Sequence, residues 1–406
     1  MLLPHNKTPM IRLLTFTNLY PDPVRPRHGI FVEHRLRRLV ATGRVQAQVI
    51  APVPWCPLPL DARYPHYRMR GIPQRDERDG IVVHHPRYWV VPGVSSALNP
   101  WSMARAAMPV IRQLMQQGYD FDVLDAQFIY PDAVAGALLA RQLGKPVTFT
   151  ARGSDVNVAL REALPLRWFR RVQQQVAAFI AVSDALRSGL IAAGVDAARI
   201  HVIRNGVDTE LFSPRDRQPT RQRLHMTRPT LLSVGNLVEE KGHRLVIEAL
   251  AHLPQVELMV IGSGVQLSAL QALANRLQVA DRIRWVAHVN QAELAGYYSA
   301  ADVTVLASSR EGMPNVLLES LACGTPVVAT NVGGCPEVVA DAAAGLLLHE
   351  RSVTAVVTAL KTLLEHPVDR AATRAYALQF GWQAPIAQQL ALLEQVVSAH
   401  TMARAA

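Results

Sequence analysis

The strongest constraint on this chain is a rhythm that runs twice. Short apolar or β-branched runs at residues 11–17, 46–51, 81–84, 123–125, 146–150 and 178–182 alternate with helical patterns, the first helix falling at about 30–41. The rhythm restarts beyond Asn205 and Gly206, with runs at 230–234, 256–261, 282–286, 303–306, 326–330 and 345–348. Strands spaced by helices mean β-α units, hence parallel sheets covered on both faces. The fold class is α/β, with two Rossmann-like, doubly wound domains. The expected domains are 1–205 and 206–385, joined by a linker near 205–228, with a terminal helix over 386–406 able to pack back on the first domain. Residues 52–80, rich in Pro and Arg, read as an irregular excursion outside the core.

Charge separates the two halves. Residues 1–205 hold 26 Lys and Arg against 14 Asp and Glu, net +12, whereas 206–406 hold 16 against 18, net −2. A basic half suits an anionic ligand or surface: phospholipid, lipid-linked phosphate or acidic glycan. Its arginines are dispersed and show no nucleic-acid-binding signature, so no nucleic-acid partner is expected. Cys56, Cys323 and Cys335 are too few and too scattered for a zinc site or a disulfide framework, and no apolar run reaches the ~18 residues of a membrane span. Residues 1–7 carry no signal core, so the expected location is the cytoplasm. Residues 164–171 interleave Arg with Trp168 and Phe169, which is either an interfacial membrane contact or a solvated basic face with its aromatics turned inward.

Ligands of open parallel sheets bind beyond the carboxyl ends of the strands, where helix N-termini offer unpaired N–H groups. Three segments of the second half qualify. The sharpest runs from Ser308 to Glu319: a polar loop, then a helix that Asn315 is expected to cap. Glu311 lies on the loop and Glu319 one turn inside the helix, so a diphosphate could rest on the helix N-terminus while each carboxylate accepts from sugar hydroxyls. The alternative is a loop charge and a helix-surface charge with no common task. The loop after the first strand of this half, residues 235–242, offers Lys241 as a point charge for phosphate, or as an exposed loop lysine. Gly262 and Gly264 follow the next strand but lack the third glycine of a dinucleotide fingerprint, which argues against a nicotinamide dehydrogenase.

Together these segments resemble the retaining, nucleotide-sugar-dependent glycosyltransferases of family 4, which have the two-domain GT-B fold with the domains facing a cleft. The most specific part is residues 311–337, similar to the family's E-x7-E motif and following strand-turn; Gly235, Asn236, Gly262, Gly264 and Asn205 add to it. The resemblance implies that Glu311 bonds the donor sugar, Glu319 the ribose, and the amides of Gly312, Met313, Pro314, Asn315 and Val316 line the diphosphate and sugar. Lys241 would offset charge on the leaving diphosphate, and the base would sit near Val286, His288 and Val289. No metal or other cofactor is implied beyond the nucleotide-sugar co-substrate. Two positions depart from the family: Asn236 stands where Arg is common, and Arg152 where a His is common. Arg152 therefore reads either as a reader of substrate charge or as a structural partner of Asp155. Gly29, in the loop after the first strand, would allow close approach of an acceptor or donor phosphate, or else makes a simple helix-entry turn.

The resulting expectation is a glycosyltransferase moving a sugar from a nucleotide diphosphate, foremost a UDP-sugar, to a glycan or lipid-linked acceptor of a cell-surface polysaccharide. It would be cytoplasmic or peripheral on an anionic inner membrane face. The rivals are a nucleotide-sugar epimerase of the same fold and a non-catalytic carbohydrate- or lipid-binding scaffold, for which Arg152 and Asn236 are the arguments.

Overall fold

The computed structural model describes residues 10–56, 69, 71–90 and 95–405, the last without the side chains of 95–97. The first half contributes β1 (Ile11–Phe16), β2 (Val45–Ile50), β3 (Val53–Trp55), β4 (Arg75–Arg78), β5 (Ile81–His84), β6 (Arg87–Trp89), β7 (Val123–Gln127), β8 (Val147–Ala151), β9 (Ala178–Ala181) and β10 (Ile200–Val202). Eight of them form one sheet in the order β10-β9-β8-β7-β1-β2-β5-β4, while β3 pairs with β6. The pairing is parallel throughout the large sheet except at its β4 edge, which is antiparallel to β5. The central strands β7 and β8 are buried along their whole length, as continuous apolar-rich runs covered on both faces should be.

The second half contributes β11 (Thr230–Val234), β12 (Glu257–Ile261), β13 (Ile283–Val286), β14 (Val303–Leu306), β15 (Val327–Thr330) and β16 (Gly345–Leu348). They form a wholly parallel sheet in the order β13-β12-β11-β14-β15-β16. Leu231, Leu258, Val260, Val303, Val305 and Val328 meet Val246, Ile247, Leu250 and Leu360 of the covering helices in one apolar core. In each sheet the chain order reverses beside the first strand: β1 lies between β2 and β7, and β11 between β12 and β14. These reversals are the switch points at which loops from neighbouring strands part and leave a crevice.

The chain divides into two compact units, one formed by residues up to Ile203 with Ile386–Ala406, the other by Arg204–Pro385. The helix Gln383–Ala405 thus gives most of its length to the first unit, where Leu392, Leu393 and Val396 pack with β1, β2 and the helix Ile30–Ala41. Two sequence readings need correction. The expected linker near 205–228 is folded structure of the second unit: it holds the helix Arg217–Arg223, and Arg221 Nη1 lies 2.9 Å from Ala300 O and 3.1 Å from Asp302 Oδ2. Its polar composition reflects an arginine-rich surface rather than a free tether. Residues 52–80 are likewise not wholly outside the core, because they supply β3 and β4 and bury Val53, Cys56 and Ile72. The remainder of that stretch, residues 57–68 and 70, lies outside the described residues.

Candidate functional site

In the second unit the loops leaving β11 and β14 come together at the switch point. Gly242 closes the first loop in the left-handed region (φ +70), and a Cβ there would stand 1.9 Å from Ala307 O, so only glycine lets the two loops touch. Ser309 N then donates to Glu240 O at 2.8 Å, and Arg310 pairs with Glu240. That closure carries Lys241 across to Glu311, with Nζ 2.6 Å from Oε1, and Ser308 Oγ donates to the same oxygen at 2.7 Å. The Glu311 side chain is 9% exposed and the Lys241 side chain 29%, so the pair faces solvent from its cationic side.

The helix Asn315–Ala322 starts immediately after this loop, anchored by buried Leu317, Leu318 and Leu321. Asn315 does not cap it, contrary to the sequence expectation. Pro314 occupies the cap position and no side chain caps the first turn, while Asn315 Oδ1 accepts from Asn205 Nδ2 at 3.1 Å. The first N–H groups of the helix keep the capacity to bind an anion that an Asn cap would have consumed. Gly312, Met313 and Pro314 are buried and Val316 half-buried, with Gly334 N donating to Gly312 O at 2.9 Å to hold the loop from behind.

One turn into the helix, Glu319 Oε2 accepts from the buried Tyr298 hydroxyl at 3.0 Å. Burial pushes the Glu319 carboxyl up to about 7, an effect the Tyr298 hydrogen bond opposes. Burial also pushes the Tyr298 phenol well above its ordinary value, so it stays a donor.

The glycines after β11 and β12 form the neighbouring wall. A Cβ on Gly262 would lie 1.9 Å from Gly235 O, and Leu237 N donates to Ser263 O at 2.9 Å, so the segment around Gly264 and the Gly235 loop run in contact. Asn236 is exposed, but its carbonyl lies 3.2 Å from His243 Nε2; His243 Nδ1 lies 2.9 Å from Ser233 Oγ. Burial lowers the His243 ring to about 4, and Lys241 adds to the lowering. A neutral ring with Nε2–H donating to Asn236 O and Nδ1 accepting from Ser233 fits both bonds. His288 is exposed just beyond β13. Among the described residues no three His, Cys, Asp or Glu side chains gather as a metal ion requires, and the three cysteines are free and buried.

Gly29, Arg152 and Asp155 belong to the first unit. Gly29 precedes the helix Ile30–Ala41 with φ +68, and the close approach it permits is to Leu19 O of its own loop. Asp155 meets Arg152 at its backbone N–H, and its charge favours the cationic form of the Arg152 guanidinium. Its buried carboxylate accepts backbone N–H groups from Ile129 (3.0 Å), Arg152 (3.0 Å), Gly153 (2.7 Å) and Val156 (3.1 Å), tying the ends of β7 and β8 together. The Arg152 guanidinium reaches Gln127 Oε1, with Nε at 3.1 Å, and sits 5.5 Å from the Phe31 ring centroid. Behind it, Gln127 and Thr148 donate to buried Asp125, and Arg35, also buried, donates to Ile203 O and Gln389 Oε1. Burial lowers Arg35 to about 9 and Arg152 to about 10, which leaves both cationic at neutral pH.

Sequence reasoning missed Tyr298, His243, Asp125 and Gln127, none of which stands in a motif. Ser308 was visible only as part of a polar loop.

The chain has known relatives. Residues 214–380 match the family model described as glycosyl transferases group 1, and 36–211 match glycosyltransferase family 4. The putative teichuronic acid biosynthesis glycosyltransferase TuaC of Bacillus subtilis is 30% identical over 332 residues, 80% of this chain and 82% of that protein. The chain belongs to glycosyltransferase family 4. A GDP-mannose-dependent alpha-(1-6)-phosphatidylinositol monomannoside mannosyltransferase of Mycolicibacterium smegmatis is 31% identical over 322 residues, 74% and 80% of the two chains. Anabaena HepE, solved with UDP and glucose, superposes with a TM-score of 0.72 at 20% identity over 95% and 99% of the two chains, a likeness in the GT-B fold. As a family 4 member the protein is a glycosyltransferase, which sets aside the epimerase and the non-catalytic scaffold.

Proposed function

We propose that this glycosyltransferase takes its sugar from a nucleotide diphosphate, foremost a UDP-sugar, and passes it with retained anomeric configuration to a glycan or lipid-linked acceptor in cell-surface polysaccharide synthesis. The observation that carries the reading is the Lys241–Glu311 pair fixed at the uncapped start of the helix Asn315–Ala322, with Glu319 one turn inside. Glu319 accepts from the ribose hydroxyls, the backbone N–H groups of Gly312, Met313, Asn315 and Val316 hold the diphosphate, Pro314 having none to give, and Glu311 accepts from donor-sugar hydroxyls. As the glycosidic bond to phosphate breaks, negative charge grows on the leaving diphosphate, and Lys241 with the helix N-terminus offsets it where it develops. Those positive groups are the reason the transfer is expected to run without a metal ion. Arg152, cationic on the first unit, reads a phosphate or carboxylate of donor or acceptor.

The UDP preference is supported by HepE, solved with UDP, whereas the mycobacterial relative is named for GDP-mannose; the nucleotide is therefore the first thing to measure. The acceptor class is supported by relatives named for teichuronic acid and for a phosphatidylinositol mannoside. Peripheral attachment at the inner membrane face is supported by the net charge of +12 on residues 1–205 and by exposed Trp89, Leu98 and Trp101, with Arg105 5.6 Å from the Trp101 ring centroid. The segment 164–171 serves this purpose less well, because Phe169 is in the core and Arg171 lies over a half-buried Trp168. No helix among the described residues is long and apolar enough to cross a membrane.

Calorimetric titration with UDP, GDP and ADP in EDTA tests the donor site. One nucleotide should bind in the micromolar range and lose at least about tenfold affinity in Glu319→Ala. Glu311→Ala should instead keep nucleotide affinity and lose turnover by about 100-fold or more. Full activity in Glu311→Ala would remove that residue from the mechanism. The anomeric proton coupling of the product reads retention directly.

A further inference from the structure

The first unit carries a cavity of about 670 Å³ on the margin of its sheet, outside the switch point. Its origin is a change of pattern in β2 and β5. Val45, Ala47 and Val49 of β2, and Ile81 and Val83 of β5, point into the apolar core beneath the helix Ile30–Ala41. The residues between them show Gln48 and His84 to the other face, which a fully covered parallel sheet would fill with hydrocarbon. The helix Ser95–Gln116 lies over that face, but it and the residue after it bring Gln113 and Gln117 to the gap, while Arg75 and Arg87 close the sheet edge. The volume falls in the range of small-molecule sites, roughly 300–1,000 Å³.

Three features of the lining point to one ligand chemistry. First, no Asp or Glu is among the residues that line the cavity. Arg75 is exposed and has no ion-pair partner among the described residues, whereas Arg87 is held in place by the carbonyls of Met69 and Ile72. Second, His84 Nε2 lies 3.1 Å from Gln48 Oε1, so imidazole and amide are already oriented as a polar pair on the cavity wall. Third, Val110 and Leu114 supply apolar patches on the helix side of the gap. Amides that both donate and accept, apolar patches and an unpaired guanidinium suit a polyhydroxylated ring that carries an anion.

We propose that this cavity is a second saccharide site, built wholly by the first unit, that takes an anionic sugar unit: a carboxylated or a phosphorylated saccharide. Arg75 meets the anion, and Gln48, His84, Gln113 and Gln117 read hydroxyls. The choice of a saccharide rests on the reading of this protein as a builder of glycans, and the choice of an anion rests on the cavity. A site of this kind holds an already transferred, acidic part of a growing chain.

The full-length protein is titrated with digalacturonate, glucose 6-phosphate, cellobiose and inorganic phosphate, and the same samples are titrated with UDP. One of the two anionic sugars should bind saturably, at least about tenfold more tightly than cellobiose or inorganic phosphate. Arg75→Gln and Gln48→Leu should each weaken that binding by about tenfold or more, with the UDP isotherm and the unfolding midpoint unchanged. The preferred probe assigns the anion as carboxylate or phosphate. Failure of both anionic sugars to bind, equal binding of cellobiose or inorganic phosphate, or wild-type affinity in both variants overturns the proposal. If UDP fails to bind while the saccharide site behaves as described, the donor reading falls and this site stands.

Discussion

Glu311 and Glu319 are eight residues apart and of the same chemical type, yet their surroundings give them different tasks. Glu311 sits against an ammonium and a hydroxyl that fix its carboxylate in place. Glu319 sits half-buried against a phenol, and its carboxyl is pushed up to about 7 from an ordinary 4.5. Between those two pH values the folded chain holds a proton that the unfolded chain has released. The stability contributed by this group is complete below pH 4.5 and is lost as pH rises through 7. Glu319→Gln removes the loss. The variant should gain on the wild type by about 1 kcal/mol between pH 5 and pH 8, after screening at a partly exposed side chain, or ~2 °C in unfolding midpoint. Parallel melting curves at the two pH values check this, and an unchanged difference would mean that Glu319 is ionised throughout.

At the scale of elements, the site is a consequence of backbone contact as much as of side chains. The β11 and β14 loops touch because Gly242 leaves room for Ala307 O, and Lys241 reaches Glu311 only because they touch. Gly242→Ala should force the loops apart, costing about 2–4 kcal/mol of stability and lowering turnover with the ion pair broken. Denaturant unfolding with an assay on the same preparation measures both, and a variant that melts and turns over like wild type would show that the contact is dispensable. This also explains what could be read in advance. The strands, the helix at 30–41 and the spacing of Glu311, Glu319 and Lys241 follow from local periodicity and short-range order, so they are visible in the chain. The partners of those residues are not. Tyr298 meets Glu319, and Gln127 meets Arg152, through parallel strands and crossover helices that set registers no local pattern encodes. Asn315 misled for a related reason: its side chain has a cap's chemistry, but Asn205 takes it. The polar stretch at 205–228 misled because arginines that satisfy carbonyls across a surface look, in sequence, like a solvated tether.

For the whole molecule, the terminal helix decides how independent the two units are. Residues 386–406 belong to the first unit, so that unit is completed by residues that follow the second unit in the chain. Leu393 is fully buried, Leu392 and Val396 nearly so, and Gln389 Oε1 accepts from the buried Arg35 Nε at 2.5 Å. Removing residues 386–406 would expose apolar surface around β1, β2 and the helix Ile30–Ala41. Each of the three apolar side chains is worth roughly 1.5–3 kcal/mol on burial, and leaving the Arg35 charge buried with one partner fewer adds to the loss. The sum is comparable with the whole stability of an ordinary domain, about 5–15 kcal/mol. A chain ending at Pro385 should therefore keep a cooperative, nucleotide-responsive transition from the Arg204–Pro385 unit while the first unit melts separately and earlier. Calorimetric scans with and without UDP resolve the two transitions. A single transition unchanged in midpoint by the truncation would show that the first unit holds its core without the last helix.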